Sequence, residues 1–154
     1  MTELDYGVGN VTNAFKAAGQ WANTVLFLVS DNGAQLDHGY NSPLRGGKHT
    51  FFEGGVRVAC FISSPLIPEA RQGTVWTGMA HSSDWYLTVF VGMAGGALPS
   101  NQSSTGPRPP DGFNLWPALL SGGASPRNEV VHQVDNSHFS ANNGACDIID
   151  DSQR

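Results

Sequence analysis

Charge is scarce in this chain, and the scarcity excludes several kinds of protein. Charged residues make up 14% of the 154 positions, against 40% apolar, where about a quarter charged is usual. Disorder needs the opposite balance, so most of the chain is expected to fold or to be built to fold against something. Lys and Arg number 8 against 13 Asp and Glu, a formal net charge of −5. There is no basic run, so nucleic acid is not an expected partner. Nor does any stretch approach the roughly 18 apolar residues of a membrane span. Met1-Thr2-Glu3 leads directly into polar sequence, with neither the basic nor the apolar region of a secretory signal. Cysteine is nearly missing. Cys60, in Val58-Ala59-Cys60-Phe61-Ile62, is expected to be a buried thiol. Cys146 lies in a Gly/Asn-rich tail, open to pairing outside the chain. The sequons Asn10-Val11-Thr12 and Asn101-Gln102-Ser103 matter for glycosylation only if the protein meets the secretory pathway.

What is abundant is glycine, 19 residues, and it gathers where the chemistry gathers. Thr24-Val25-Leu26-Phe27-Leu28-Val29 is a short apolar run rich in β-branched residues, stopped by Ser30-Asp31-Asn32-Gly33. Its length predicts a buried strand emptying into a polar loop. In open α/β sheets ligands collect beyond the carboxyl ends of strands, which places Asp31 and Asn32 where a metal or phosphate-like group binds. A long Gly-rich loop follows, carrying Arg45, Lys48, Glu53 and Arg57. So long a connection is seldom kept without function.

Around this stretch the chain reads as α/β. Leu4, Val8, Val11, Ala14, Phe15 and Ala18 recur at helical spacing and Gly19 supplies a stop, predicting an amphipathic helix over 4–18. Val56–Ser63 reads as a second strand and Val75–Met79 as an edge strand. Ser82 or Ser83 is the candidate N-cap of a helix from Asp84 to about Gly95. Residues 95–112 form a Gly/Pro/Ser loop. Phe113–Leu120 predicts a short helix anchored by Leu115 and Trp116, with Trp85 a second aromatic anchor. Glu129–Val134 alternates like a strand, and a frayed end follows Asp135.

Each polar element admits a plain interpretation. Asp31 and Asn32 offer one anionic and one neutral oxygen, a combination that Ca²⁺ or Mg²⁺ accepts, but Asp-Asn-Gly is also a common turn. Lys48 follows two glycines that let backbone approach an anion, yet a lone lysine there is equally a solvated side chain. Glu53 pairs readily with a nearby arginine.

In order and spacing, however, Asp31-Asn32-Gly33, Pro43-Leu44-Arg45-Gly46-Gly47-Lys48, Phe52-Glu53-Gly54-Gly55-Val56-Arg57, His81-Ser82-Ser83-Asp84-Trp85 and Asp111-Gly112-Phe113-Asn114-Leu115-Trp116 resemble the formylglycine-dependent sulfatases, most nearly their arylsulfatase B-like branch. Pro126-Arg127 and the following Val130–Asp135 extend the likeness, which runs from about Asp5 to Phe139. The resemblance implies an alkaline-phosphatase-like α/β fold and hydrolysis of a sulfate ester, either an aryl sulfate or a sulfated glycosaminoglycan. It assigns Asp31 and Asn32 to a Ca²⁺ (or Mg²⁺) ion, Lys48 to the sulfate group, and His81 to the catalytic cleft or, alternatively, to bracing the Asp84 helix. Arg45, Glu53 and Arg57 are assigned to holding the loop. A parent enzyme of this family is expected to be lysosomal or secreted.

The pattern also has gaps. The Cys/Ser-x-Pro-x-Arg segment that bears the formylglycine is not present, and neither is the upstream Asp-Asp pair. The chain is therefore expected to be a C-terminal portion, inactive alone. Residues 1–95 would be the end of the catalytic α/β domain, 96–140 a linker and the start of a small C-terminal subdomain, and 141–154 a frayed tail. The alternatives are a catalytically dead module that binds sulfated glycans or other anions, and a phosphatase-like hydrolase of the same superfamily.

Overall fold

The computed structural model describes residues 2–98 and 109–132. They belong to two compact units, one built from residues 1–66 with 132–154 and the other from 67–131. The expected boundary at residue 95 falls inside the second unit, and the expected tail lies outside the described residues.

The first unit opens with helix α1, Thr2–Ala17, which carries Glu3 and Asp5 in its first turn and Lys16 in its last. Both placements complement the helix dipole. Gly19 ends it at φ 68°, and the amide N–H of Gln20 donates to the Phe15 carbonyl, a left-handed glycine cap. The apolar stripe expected on this helix is present but bare. None of its residues is buried, and Leu4, Val11 and Phe15 are 53, 46 and 38% exposed.

Strand β1, Leu26–Val29, pairs antiparallel with β2, Cys60–Ser63, in the register Leu26–Ser63 through Val29–Cys60. The second strand is shorter than expected. Glu53–Val56 forms a single helical turn, α2, because the Gly55 and Val56 amides donate to the Phe52 carbonyl and the Gly54 amide reaches Arg45. Cys60 is exposed, contrary to expectation; it stands at the start of β2 opposite Val29, which is itself 46% exposed. Among the described residues, those that this unit buries are Gly33, Gly47, Gly54, Gly55 and Ser64. Its tightest packing is loop backbone against loop backbone.

The second unit is organised around side chains. Helix α3, Asp84–Leu87, continues as π-helix over Thr88–Met93, where the Ala94 amide donates five residues back to Val89. Leu115, Thr88 and Asp84 are fully buried, with Leu87 and Ala118 close behind. Helix α4, Trp116–Ser121, begins later than expected because the Asn114 side-chain oxygen accepts the Trp116 amide N–H. Pro117 sits in its first turn and Gly122 ends it in the left-handed conformation, the usual placement of both residues. Leu115 is the core anchor, whereas Trp85 and Trp116 remain partly exposed. No strand forms over 75–79. Gly73 turns the chain at φ 70°, Val75 is 86% exposed, and Trp76 is spent on a hydrogen bond from its indole N–H to the Gly123 carbonyl. Residues 129–132 are not strand, and the remainder of that expected element lies outside the described residues.

Candidate functional site

The polar loop after β1 is held from within. The Ser30 hydroxyl donates to the Asn32 carbonyl, and the Asn32 amide N–H donates to Asp31 Oδ1 at 2.9 Å. Asn32 Nδ2 donates to the Gly33 carbonyl. These bonds leave Asp31 Oδ2 and Asn32 Oδ1 without a hydrogen bond among the described residues, one anionic and one neutral oxygen on adjacent side chains. Gly33 is then pinned to the short helix α2, its amide donating to Gly55 at 2.9 Å. A methyl group at Gly33 would overlap the Gly54 carbonyl, and one at Gly54 would overlap that of Gly46. Only glycine permits this approach.

Asn41, which the motif series did not single out, is the staple of the loop. Its Oδ1 accepts the Ala34 amide N–H at 2.7 Å, and its Nδ2 donates to the carbonyls of Ala34 and Gly46. The Lys48 amide donates to that same Ala34 carbonyl at 3.1 Å. The backbone of Lys48 is thus tied directly beside the Asp31-Asn32-Gly33 turn. The Lys48 side chain is exposed and forms no ion pair among the described residues. His49 follows at φ 75°, a left-handed conformation unusual for a residue other than glycine. Thr50 closes the turn, its hydroxyl donating to the Gly47 carbonyl at 2.8 Å. The Arg45 guanidinium lies 4.0 Å from the centre of the Phe52 ring, and Arg57 pairs with Glu53 at 3.2 Å, one helical turn apart and exposed.

His81 belongs to the second unit. There Asp84, with its side chain fully buried, pairs with Arg127. Each carboxylate oxygen takes one backbone and one guanidinium donor. Oδ1 accepts from Phe113 N at 2.8 Å and Arg127 Nη2 at 2.6 Å, while Oδ2 accepts from His81 N and Arg127 Nε, both at 2.8 Å. Arg127 reaches further, to the carbonyls of Glu129 and Asp111, and its guanidinium lies over the Phe113 ring. Burial pushes the Asp84 carboxyl upward, but the Arg127 hydrogen bonds, the two backbone donors and the arginine charge outweigh it, so the carboxyl titrates below its ordinary value. The same pairing raises Arg127. This clamp joins three of the sequence motifs. Ser83 precedes α3 but makes no capping hydrogen bond from its side chain; its hydroxyl faces His81 instead.

The residues present do not by themselves fit a bound Ca²⁺ or Mg²⁺ ion. Asp31 and Asn32 supply two oxygens, whereas such an ion takes about six to eight. No group of three or more His, Cys, Asp or Glu gathers among the described residues.

Fold and loop together define the class: a mixed α/β chain whose polar side chains stand on a glycine-clamped loop following a strand. The sulfatase family model matches residues 1–93. Mouse (Mus musculus) arylsulfatase J is 36% identical over 143 residues, covering 92% of this chain and 22% of the relative. Mouse steryl-sulfatase is 32% identical over 148 residues, covering 90% and 22%. The crystal structure of PsFucS1 sulfatase from Pseudoalteromonas sp. superposes with a TM-score of 0.66 at 34% identity, over 81% of this chain and 24% of that one. The chain belongs to the sulfatase family. The assignment stands at the level of the family and not of its arylsulfatase B-like branch, and the chain spans less than a quarter of the length of these relatives.

Proposed function

We propose that this chain carries one wall of the active site of a sulfuric ester hydrolase with the alkaline-phosphatase-like fold. Asp31 Oδ2 and Asn32 Oδ1 are two of the oxygen ligands of its divalent ion, Ca²⁺ or Mg²⁺, and Lys48 binds the sulfate group. Arg45, Glu53 and Arg57 keep the loop in shape, and His81 has a catalytic role in the longer protein. The remaining metal ligands and the formylglycine come from sequence outside these 154 residues. The substrate is an aryl sulfate or the sulfate ester of a glycosaminoglycan, and the longer protein is lysosomal or secreted.

The observation that carries this reading is the shared Ala34 carbonyl and the interlocked glycines around it. They tie the backbone of Lys48 to residue 34, directly after the Asp31-Asn32-Gly33 turn, where Asp31 Oδ2 and Asn32 Oδ1 have no hydrogen bond among the described residues. An ammonium suits a tetrahedral oxyanion as a point charge, and placed where charge develops on the ester it contributes to the electrostatic stabilisation that dominates many such reactions. In a longer protein containing this chain, Lys48→Ala is expected to lower kcat/KM toward an aryl sulfate by about 10²–10³-fold, the range for losing one such group. The 154-residue chain alone is expected to show no turnover. Unchanged kinetics in the variant, or metal-dependent hydrolysis by the chain alone, would remove the assignment.

A further inference from the structure

We propose that Ser83 is a positioning residue that holds His81 in the tautomer with its proton on Nε2, so that His81 meets a ligand as a hydrogen-bond donor and not as a base. The inference follows from which groups surround Nδ1. The Ser83 hydroxyl oxygen lies 2.9 Å from Nδ1, and the Ser83 backbone N–H points at the same nitrogen at 3.4 Å. A backbone N–H can only donate. The hydroxyl can donate or accept in principle, but its oxygen already receives Arg127 Nη2 at 3.3 Å, and a guanidinium cannot accept in return. The arrangement with every group satisfied sends the Ser83 O–H proton to Nδ1. Two donors from one residue therefore converge on a single nitrogen, which meets them as a bare lone pair. In the neutral ring the proton then resides on Nε2.

The geometry is anchored from behind. The His81 backbone N–H is fixed to Asp84 Oδ2 at 2.8 Å, and Asp84 is locked by the arginine fork. Nε2 itself has no hydrogen bond among the described residues, and the ring is only partly buried. What His81 offers outward is one N–H, suited to an oxygen of an anionic group such as a sulfate or carboxylate. The role toward a ligand rests on the proposed membership of His81 in the sulfatase site; the tautomer does not.

The test is therefore made on the tautomer. The chain is labelled with ¹⁵N-histidine and examined at alkaline pH, where the ring resonances no longer change with pH. His81 is assigned by His81→Gln. The expected long-range ¹H–¹⁵N pattern has a protonated Nε2 and a hydrogen-bonded, unprotonated Nδ1. In Ser83→Ala the Nδ1 resonance is expected to move toward that of a free imidazole exchanging between tautomers, with the Arg127 Nε–H signal marking an intact clamp; Ser83→Thr, which keeps the hydroxyl, holds the original pattern. A protonated Nδ1 in the unaltered chain overturns the proposal whatever the variants do, and so does an Nδ1 resonance indifferent to Ser83→Ala in a folded chain. Neither result depends on sulfate hydrolysis, so failure here and failure of the Lys48 assignment can be told apart.

Discussion

Replacing Asp84 by Asn should remove most of the stability of the second unit while hardly changing the shape of the side chain. The carboxylate accepts four hydrogen bonds, two on each oxygen. An amide keeps one oxygen and turns its NH₂ toward a backbone N–H and a guanidinium N–H, so two pairings become donor against donor. Breaking a buried ion pair from one side costs about 3–5 kcal/mol, in line with two lost charge-assisted bonds at about 1.5–3 kcal/mol each. A unit the size of residues 67–131 has a total stability of only about 3–10 kcal/mol at the usual value per residue. Three of the four tryptophans, Trp76, Trp85 and Trp116, lie in this unit, so urea unfolding followed by tryptophan fluorescence reports on it. At a slope of about 1 kcal/mol per molar urea, the midpoint should fall by about 3–5 M or the unit should already be unfolded in buffer. Arg127→Ala should cost a comparable amount, and the double variant far less than the sum, because the two groups act as one unit. A loss below about 1 kcal/mol for Asp84→Asn, or strict additivity, would refute this account of the clamp. The direction of the pH dependence follows from the lowered Asp84 carboxyl. Its contribution is complete above the unfolded value of about 3.9 and is lost as pH falls through the lower folded value. Asp84→Asn should therefore lack that part of the acid limb while remaining less stable at neutral pH.

The uncovered stripe of α1, with Leu4, Val11 and Phe15 all exposed, should make the isolated chain bind a hydrophobic dye. Absence of dye binding together with a cooperative melt of soluble monomer would count against a chain built to fold against further structure. At His49, φ 75° costs a side-chain-bearing residue about 1–2 kcal/mol. His49→Gly is therefore expected to be neutral or to stabilise by up to about 1 kcal/mol, and His49→Val to destabilise by about 1–2 kcal/mol, both read from denaturation midpoints. Equal effects of the two replacements would show that the conformation is not what matters there.

Local pattern was enough for the parts of this protein that depend on near neighbours. The stripe from Leu4 to Ala18 with Gly19 behind it marked α1, and the apolar run before Asp31 marked β1. The order of the glycine-bounded motifs was enough to indicate the sulfatase family. Elements whose form depends on distant partners were not legible in the same way. Val56 looked like the start of a strand, but it closes a helical turn whose backbone is drawn in by bonds to Arg45 and Phe52. Leu115 and Trp116 both looked like anchors, but of the two only Leu115 is buried, its amide N–H accepted by the buried Thr88 hydroxyl across 27 residues. Cys60 looked buried from its apolar neighbours, yet burial depends on what lies across the sheet.

The same division holds for the site. Residue type and spacing alone marked Asp31, Asn32 and Lys48 as candidates, because the donor and charge properties of a side chain belong to its identity. Tertiary structure alone decided which of their atoms are free. Short bonds within the loop occupy Asp31 Oδ1 and Asn32 Nδ2, and the Asn41 staple appears only once residues 34 and 41 are folded together. The Asp84–Arg127 clamp spans 43 residues, a distance over which periodicity carries no signal, and only the closed chain could bring a buried carboxylate to its guanidinium.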